Sequence, residues 1–218
     1  MPLSEYLVRI FGQNRADNTD KGLQLTPDGG VYNNDEMPRY AEITRQGLGW
    51  SVINTTAIAA LVVRPSTVAM GTLFNANGAG SNICFIMDRA FAFNLVGTAN
   101  NNYGIWLCVH QRGMAAPTQD FPKGVTTNWK GNTGRQYNGS AIYDTGATVV
   151  DDGWYPWGAS NRNVTVTTPG GQVDVNIEGR LIVPPQAAIS ITVVADVVGA
   201  TFTAGFSWYE KELKAGIV

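Results

Sequence analysis

The feature that most constrains the fold lies near the C-terminal end, between residues 172 and 209, where polar and apolar residues alternate. In residues 172–178, polar side chains alternate with Val173, Val175 and Ile177. Successive side chains of a β-strand point to opposite faces, so a period of two predicts strands with one buried face. Four runs in this stretch are expected to be consecutive antiparallel strands of an all-β core: residues 172–178, 180–183, 189–195 and 201–209.

The chain from Trp50 onward carries further strand-like runs separated by turn-forming residues. Residues 57–63 are apolar on both faces, which predicts a strand covered on two sides or a short buried helix. Residues 111–140 and 151–158 carry glycine, proline and polar residues and are expected to be loops, whereas residues 163–168 have strand character. About nine strands joined by Gly- and Asn-rich loops predict an antiparallel, jelly-roll-like β-sandwich over residues 50–218.

Residues 1–49 form a different region, with little periodicity and many turn formers such as the run Pro27-Asp28-Gly29-Gly30. A long segment without its own periodicity is unusual inside a compact domain. We expect an extended, irregular arm that lies over its own domain or over a neighbouring subunit. In the second case Arg15 and Lys21 would lie near another chain. A floppy N-terminus is the alternative.

The charge balance argues against binding to nucleic acid. Lysine and arginine number 15 against 17 acidic residues, and no basic cluster is present to neutralise phosphates. Charged residues are only 15% of the chain, below the roughly 25% of an average soluble protein. Such a surface suits a protein that is covered by neighbouring subunits, and it equally suits a polar all-β surface made of turns.

Targeting signals and cysteines add further expectations. The first residues lack a basic segment followed by an apolar run, so we expect no secretory signal and synthesis in the cytoplasm. The longest uninterrupted apolar run, residues 57–63, is too short to cross a membrane. Cys84 and Cys108 both lie in apolar runs and are expected to be buried free thiols, although a disulfide or, more remotely, a metal pair is also conceivable.

The chain carries none of the familiar enzymatic motifs. His110 is the only histidine and lies at the end of an apolar strand, where a rim position or a satisfied hydrogen bond is expected. Signatures of nucleophile, metal-protease and phosphate-binding sites are absent from the sequence. We therefore expect a protein that is not an enzyme and that has no cofactor and no metal site.

One loop could nevertheless bind a sugar. Trp154, Tyr155 and Trp157 follow directly after Asp151 and Asp152. Aromatic rings can stack on a glycan or a partner, and two carboxylates can hydrolyse a glycosidic bond. Neighbouring residues rarely face one cleft, however, and Asp-Asp-Gly is also an ordinary turn. Packing within the loop, glycan binding and glycoside hydrolysis therefore all remain open for this segment.

Several stretches resemble β-sandwich structural proteins of tailed-bacteriophage particles. The similarity extends over residues 49–210 and rests on these runs: Gly49-Trp50-Ser51, residues 56–61, residues 84–93 around Ile86-Met87-Asp88-Arg89, and residues 184–210. The resemblance implies a virion component, such as a capsid decoration, cement or minor capsid protein. It also implies contacts with the major capsid protein or other virion subunits and a homotrimer, and it supplies no active-site residues. A receptor- or carbohydrate-binding module of a phage spike or fibre is the alternative function.

Overall fold

Two antiparallel sheets pack face to face in a computed structural model, which describes residues 43–44, 46–96, 101–121, 123, 128–131, 133–162 and 172–213. All of these residues belong to the unit formed by residues 42–218. Residues 1–42 of the predicted arm, which include Arg15 and Lys21, lie outside the described residues. The first strand begins at Gly49.

Within the described residues the structure contains twelve strands. They are β1 (Gly49–Ile53), β2 (Ile58–Ala59), β3 (Gly71–Asn75), β4 (Ile83–Val96), β5 (Asn101–His110), β6 (Trp129–Gly131), β7 (Ala141–Asp144), β8 (Tyr155–Arg162), β9 (Gln172–Asn176), β10 (Ile182–Val183), β11 (Ala188–Ala195) and β12 (Thr201–Glu212). The seven-stranded first sheet has the order β10-β4-β12-β1-β6, with β2 paired to β12 and β9 paired to β4. The five-stranded second sheet has the order β7-β3-β11-β5-β8.

The strand order is that of a jelly roll. The strands β1-β12-β4-β9 lie side by side in the first sheet, and β3-β11-β5-β8 lie side by side in the second. The four C-terminal runs are therefore antiparallel strands, but they are not sheet neighbours of one another: β9 and β10 pair with β4, β11 pairs with β3 and β5, and β12 pairs with β1 and β4. This arrangement confirms the predicted all-β, jelly-roll-like sandwich.

The core lies between the two sheets and follows the alternation in the sequence. On β12, the side chains of Phe202, Ala204, Phe206 and Trp208 are all fully buried. On β11, Ile189, Ile191 and Val193 face the same core. β4 is one continuous strand, and its register against β12 shifts at the residue between Met87 and Arg89, which is a β-bulge.

Residues 111–154 form an insertion between β5 and β8 that supplies an extra strand to each sheet. β6 pairs with β1, and β7 pairs with β3, so the insertion extends both sheets on the same side of the sandwich. Its buried Trp129 and Tyr137 rings stack with centroids 5.0 Å apart. The Tyr137 hydroxyl donates to Glu210 Oε1 at 2.5 Å, and burial raises the pKa of that carboxyl. The predicted loop 111–140 thus contains one strand, β6, and together with β7 the insertion closes one side of the core.

Two other local predictions were wrong. In residues 57–63 only Ile58–Ala59 form a strand, and Val62 and Val63 are 50% and 65% exposed rather than buried. Leu61 forms a single bridge with Val194 of the second sheet, and the chain leaves that sheet after Leu61. The segment 151–158 is a loop only up to Trp154, because β8 begins at Tyr155. The predicted strand at residues 163–168 lies outside the described residues.

The two cysteines are free and buried, as the sequence favoured. Cys84 lies on β4 in the first sheet and Cys108 lies on β5 in the second. They therefore do not form a disulfide in this structure. Burial raises the pKa of the Cys108 thiol to about 11, so this thiol is protonated and unreactive at neutral pH.

Candidate functional site

Two chain segments cross the outer face of the second sheet, and we call residues 64–69 and 147–154 together the cover. They are joined by a bridge between Val68 and Thr148 and by a hydrogen bond of 2.8 Å from Val149 N to the Thr67 carbonyl. Beneath them lies a small second core with these buried members: Ala69, Cys108, Ala147, Val149 and Trp154. The indole of Trp154 donates to the Ser66 carbonyl at 2.8 Å. The cover therefore shields part of a sheet face that would otherwise meet solvent.

A chain of polar side chains runs beneath the cover. His110 Nε2 lies 2.8 Å from Ser190 Oγ, and His110 Nδ1 lies 3.2 Å from Asp152 Oδ2. Ser190 Oγ in turn lies 2.8 Å from Thr72 Oγ1. A neutral imidazole that is protonated on Nδ1 satisfies both of these contacts, because it donates to the carboxylate and accepts from the serine hydroxyl. Four side chains from three strands and the cover are thus linked in one hydrogen-bonded row.

The alternation of the strands explains why these residues meet. Residues 189 and 191 of β11 face the main core, which turns Ser190 and Thr192 to the outer face. The register pairs Ser190 with Cys108 and Ala188 with His110, so the imidazole lies beside the serine on the neighbouring strand. Asp152 arrives from the cover. Because the cover removes water from this face, the polar groups must bond to one another.

The row has the connectivity of a serine hydrolase triad, but its burial differs from that of an active site. Ser190 is 0% exposed and lies in the central strand of its sheet, so its hydroxyl is not accessible from solvent. His110 is also buried, and its burial lowers the pKa of the imidazole despite the neighbouring carboxylate. A nucleophile must reach its substrate. This arrangement is suited instead to anchoring the cover on the sheet.

Asp151 and Asp152 bind different partners. Asp151 Oδ2 lies 2.6 Å from Arg64 Nη1 in an ion pair that links the two segments of the cover. This bonding to Arg64 lowers the pKa of the Asp151 carboxyl. Asp152 bonds to His110 instead. The two carboxylates are therefore engaged separately and do not face each other as a catalytic pair.

The predicted aromatic site is only partly assembled. Trp154 is 4% exposed and packs in the second core, so it has no free ring face for a ligand. Tyr155 is 65% exposed, and its ring centroid lies 6.5 Å from that of the half-buried Trp157. The Arg180 guanidinium lies over Trp157, 5.6 Å from the ring centroid. Of the three predicted residues, Tyr155 and Trp157 come together at the start of β8.

An open groove lies along the uncovered part of the same sheet face. It has a volume of about 820 Å³ and runs beside β5, β8 and β11. Its apolar lining includes Val62, Trp106, Ala159 and Val194. At one end Asp196 Oδ2 accepts a hydrogen bond of 2.7 Å from the Asn102 side chain. No residue of this groove was predicted as a site from the sequence.

The buried polar row was missed because its members are far apart in the chain. Thr72 and Ser190 are separated by 118 positions, and His110 and Ser190 by 80. The lone histidine was a visible signal, and the satisfied hydrogen bond expected for it is present. The polar residues 190 and 192 within an apolar strand were the other signal, but only the pairing of β5 with β11 joins the two.

Neither a metal centre nor a membrane span is found in the described part of the chain. The described His, Cys, Asp and Glu side chains form no group of three or more that could hold a metal ion. No helix among the same residues is long and apolar enough to cross a bilayer. In comparisons with known proteins, no family model and no curated protein sequence matches this chain.

Proposed function

We propose that this chain is a non-enzymatic structural protein of a phage virion, which binds and stabilises an assembled capsid as a decoration, cement or minor capsid protein. Its partners would be the major capsid protein or other virion subunits, and its location the virion. The proposal rests on the surface beside β8, where exposed apolar side chains border a shallow groove. Val62 and Ala159 line this groove. Val63 and Tyr155, which lie close to these two residues in the sequence, are also exposed.

Surface shape and charge support this function. A broad, open surface suits contacts with other subunits, whereas small-molecule sites are concave and largely enclosed. With charged residues at 15% of the chain, few ions must be desolvated when such a surface is covered. Jelly rolls are common in viral capsid domains, and this analogy of fold adds weight without specifying the function.

Co-sedimentation tests the proposal directly. Purified protein is mixed with capsids of the phage whose genome encodes it and is pelleted through a sucrose cushion. We expect saturable binding at a fixed number of copies per capsid, together with a higher melting temperature of the loaded particles. An unrelated protein of similar size and charge serves as the control and should stay in the supernatant. Absence from the pellet at about 100 μM protein would contradict capsid binding.

Glycan or receptor binding is the second candidate, because Tyr155 and Trp157 are adjacent rings at one edge of the sandwich. An exposed tyrosine beside a tryptophan under a guanidinium can stack on a sugar ring. A glycan array with wild-type protein and Trp157→Ala tests this candidate. Tyr155→Phe is the matched control, since it keeps the ring. A silent array, or a signal that is unchanged in Trp157→Ala, would exclude it.

A further inference from the structure

We propose that β8 is a docking strand for a second copy of this chain, and that two copies join their β8 strands antiparallel about a two-fold axis. This contact would extend the second sheet of each copy across the interface into one continuous sheet. Self-association through this edge does not depend on binding to a capsid.

The first reason is that β8 is an open edge. It pairs with β5 on one side, and no backbone hydrogen bond joins its other side to any described residue. β8 has eight residues, which makes it longer than β6, β7, β9 and β10. A row of unpaired backbone N–H and C=O groups is a template for another strand.

The second reason is that the opposite edges are protected. β7 is covered by an earlier part of the same insertion, where Asp120 N donates to the Tyr143 carbonyl at 3.1 Å. β6 is only three residues long, and Gly131 N is bonded to the Arg135 carbonyl. Proteins normally protect long edges with charges, prolines or covering loops. In β8, Pro156 lies near the start and the register against β5 shifts at Trp157, but residues 155–161 include no charged residue.

The third reason is that this strand fits a copy of itself. Under a two-fold axis, the donors and acceptors of an antiparallel edge meet their own complements. If the axis passes through the position of Gly158, the two copies of this glycine face each other at the centre, where backbones must approach to about 4.8 Å. The uncharged run 155–161 would then face an uncharged run, so no like charges are brought together there.

The size of the contact is also sufficient. Eight residues span about 26 Å, and a two-sheet sandwich is about 20 Å deep with its side chains, so each copy would bury about 500 Å². The total of about 1,000 Å² reaches the smallest area expected of a biological interface. The exposed Tyr155 would be covered by this contact, and aromatic residues are enriched in interfaces relative to the rest of the surface.

The test compares the oligomeric state of two charge variants. Ala159→Asp places a carboxylate on the exposed centre of β8, and Gln136→Asp places the same charge on an exposed loop of the insertion, beside the opposite edge. Sedimentation velocity over a concentration series should show a dimer for wild type and for Gln136→Asp. Ala159→Asp should weaken dimerisation at least about 10-fold and retain the wild-type circular dichroism spectrum.

A second measurement uses the wild-type protein alone. Hydrogen exchange of the amides in residues 155–162 should slow as the concentration rises through the dimerisation range. If Ala159→Asp fails to fold, Tyr155→Asp at the exposed start of the strand takes its place with the same expected loss.

A wild-type monomer at about 100 μM would overturn the inference, and so would an assembly of any size that Ala159→Asp leaves intact. A trimer, as the phage resemblance implies, would overturn it as well, because two-fold pairing gives an even number of copies. Each of these results leaves the co-sedimentation test unaffected, so the failure of self-pairing is distinguishable from the failure of capsid binding.

Discussion

His110 shows at the scale of a single residue how a buried ionisable group is accommodated. It is the only histidine of the chain, and it lies between a hydroxyl and a carboxylate beneath the cover. Burial disfavours its charged form, whereas Asp152 favours that form, and burial is the larger effect. The folded protein therefore binds the proton less tightly than the unfolded chain does. This difference couples the stability of the fold to pH.

We predict that His110→Gln removes part of the pH dependence of stability. The pKa of His110 is lowered on folding, so its stabilising contribution is complete above the unfolded pKa of about 6.5 and is lost as the pH falls below it. Between about pH 8 and pH 5, wild type should lose more stability than His110→Gln, and the extra loss should occur below about pH 6.5. Urea unfolding of both proteins over this range measures the difference.

Glu210 and Asp144 have raised pKa values, so their contributions change with pH in the opposite direction. Both are outside the hydrogen-bonded row of His110, and they remain in both proteins. Their effects should therefore cancel when the two pH profiles are subtracted. A difference that stays constant from about pH 8 to pH 5 would contradict the assignment to His110.

At the scale of single elements, the close approach of β12 to its neighbours depends on a glycine. A Cβ atom at Gly205 would collide with the Val52 carbonyl oxygen of β1 and would lie 2.9 Å from the Phe91 ring of β4. The Val52 carbonyl oxygen cannot move aside without disturbing the hydrogen bonds between the strands. The smallest side chain at this position would therefore push three adjacent strands apart.

We predict that Gly205→Ala destabilises the fold by about 1–3 kcal/mol, because it overpacks the centre of the first sheet. Gly80→Ala is the matched control, since its added methyl group would meet no atom within 4 Å. Chemical unfolding of both variants measures the effect. Equal stabilities of the two variants would show that β12 can shift at no cost.

The cover is the second element whose role can be measured. We predict that Trp154→Ala opens it and speeds the reaction of Cys108 with a thiol reagent at least about 10-fold, because the thiol gains solvent and its pKa falls toward the ordinary value. Labelling followed by mass spectrometry reports each cysteine separately. Cys84, in the first sheet, is the internal control. Equal acceleration of both cysteines would indicate global unfolding and would contradict a separately opening cover.

At the scale of the whole molecule, the jelly roll joins strands that are far apart in the chain. β1 lies beside β12, and the Ser51 and Ser207 hydroxyls that meet there are separated by 156 positions. To form such a pair, a long loop of the chain must close first. The entropy cost of this closure comes before the contacts that offset it. We predict refolding on a timescale of about 10 ms to seconds or slower, measured by stopped-flow tryptophan fluorescence. Refolding in microseconds would contradict nucleation by these distant pairs.

The sequence predicted those parts of the fold that depend on neighbouring residues. Val173 alternates with polar residues, and it lies inward on β9 as expected. The same rule failed at Val62 and Val63, because apolar character does not show whether another segment covers a strand. The sequence left both ligand binding and packing within the loop open for Trp154, and the structure shows that it packs under the cover. Burial by remote segments is not encoded in the local period.

The sequence by itself determined the strand-forming runs, the turns between them and the inward faces of the core strands, because side-chain alternation is a local steric property of the chain. Only the tertiary structure decided that β5 and β11 are neighbours, that Asp152 reaches His110, and that β8 pairs on one side alone among the described strands. Those outcomes depend on which remote strands pair and which loops cover them. Such choices are settled by packing over the whole chain rather than by any short run of residues.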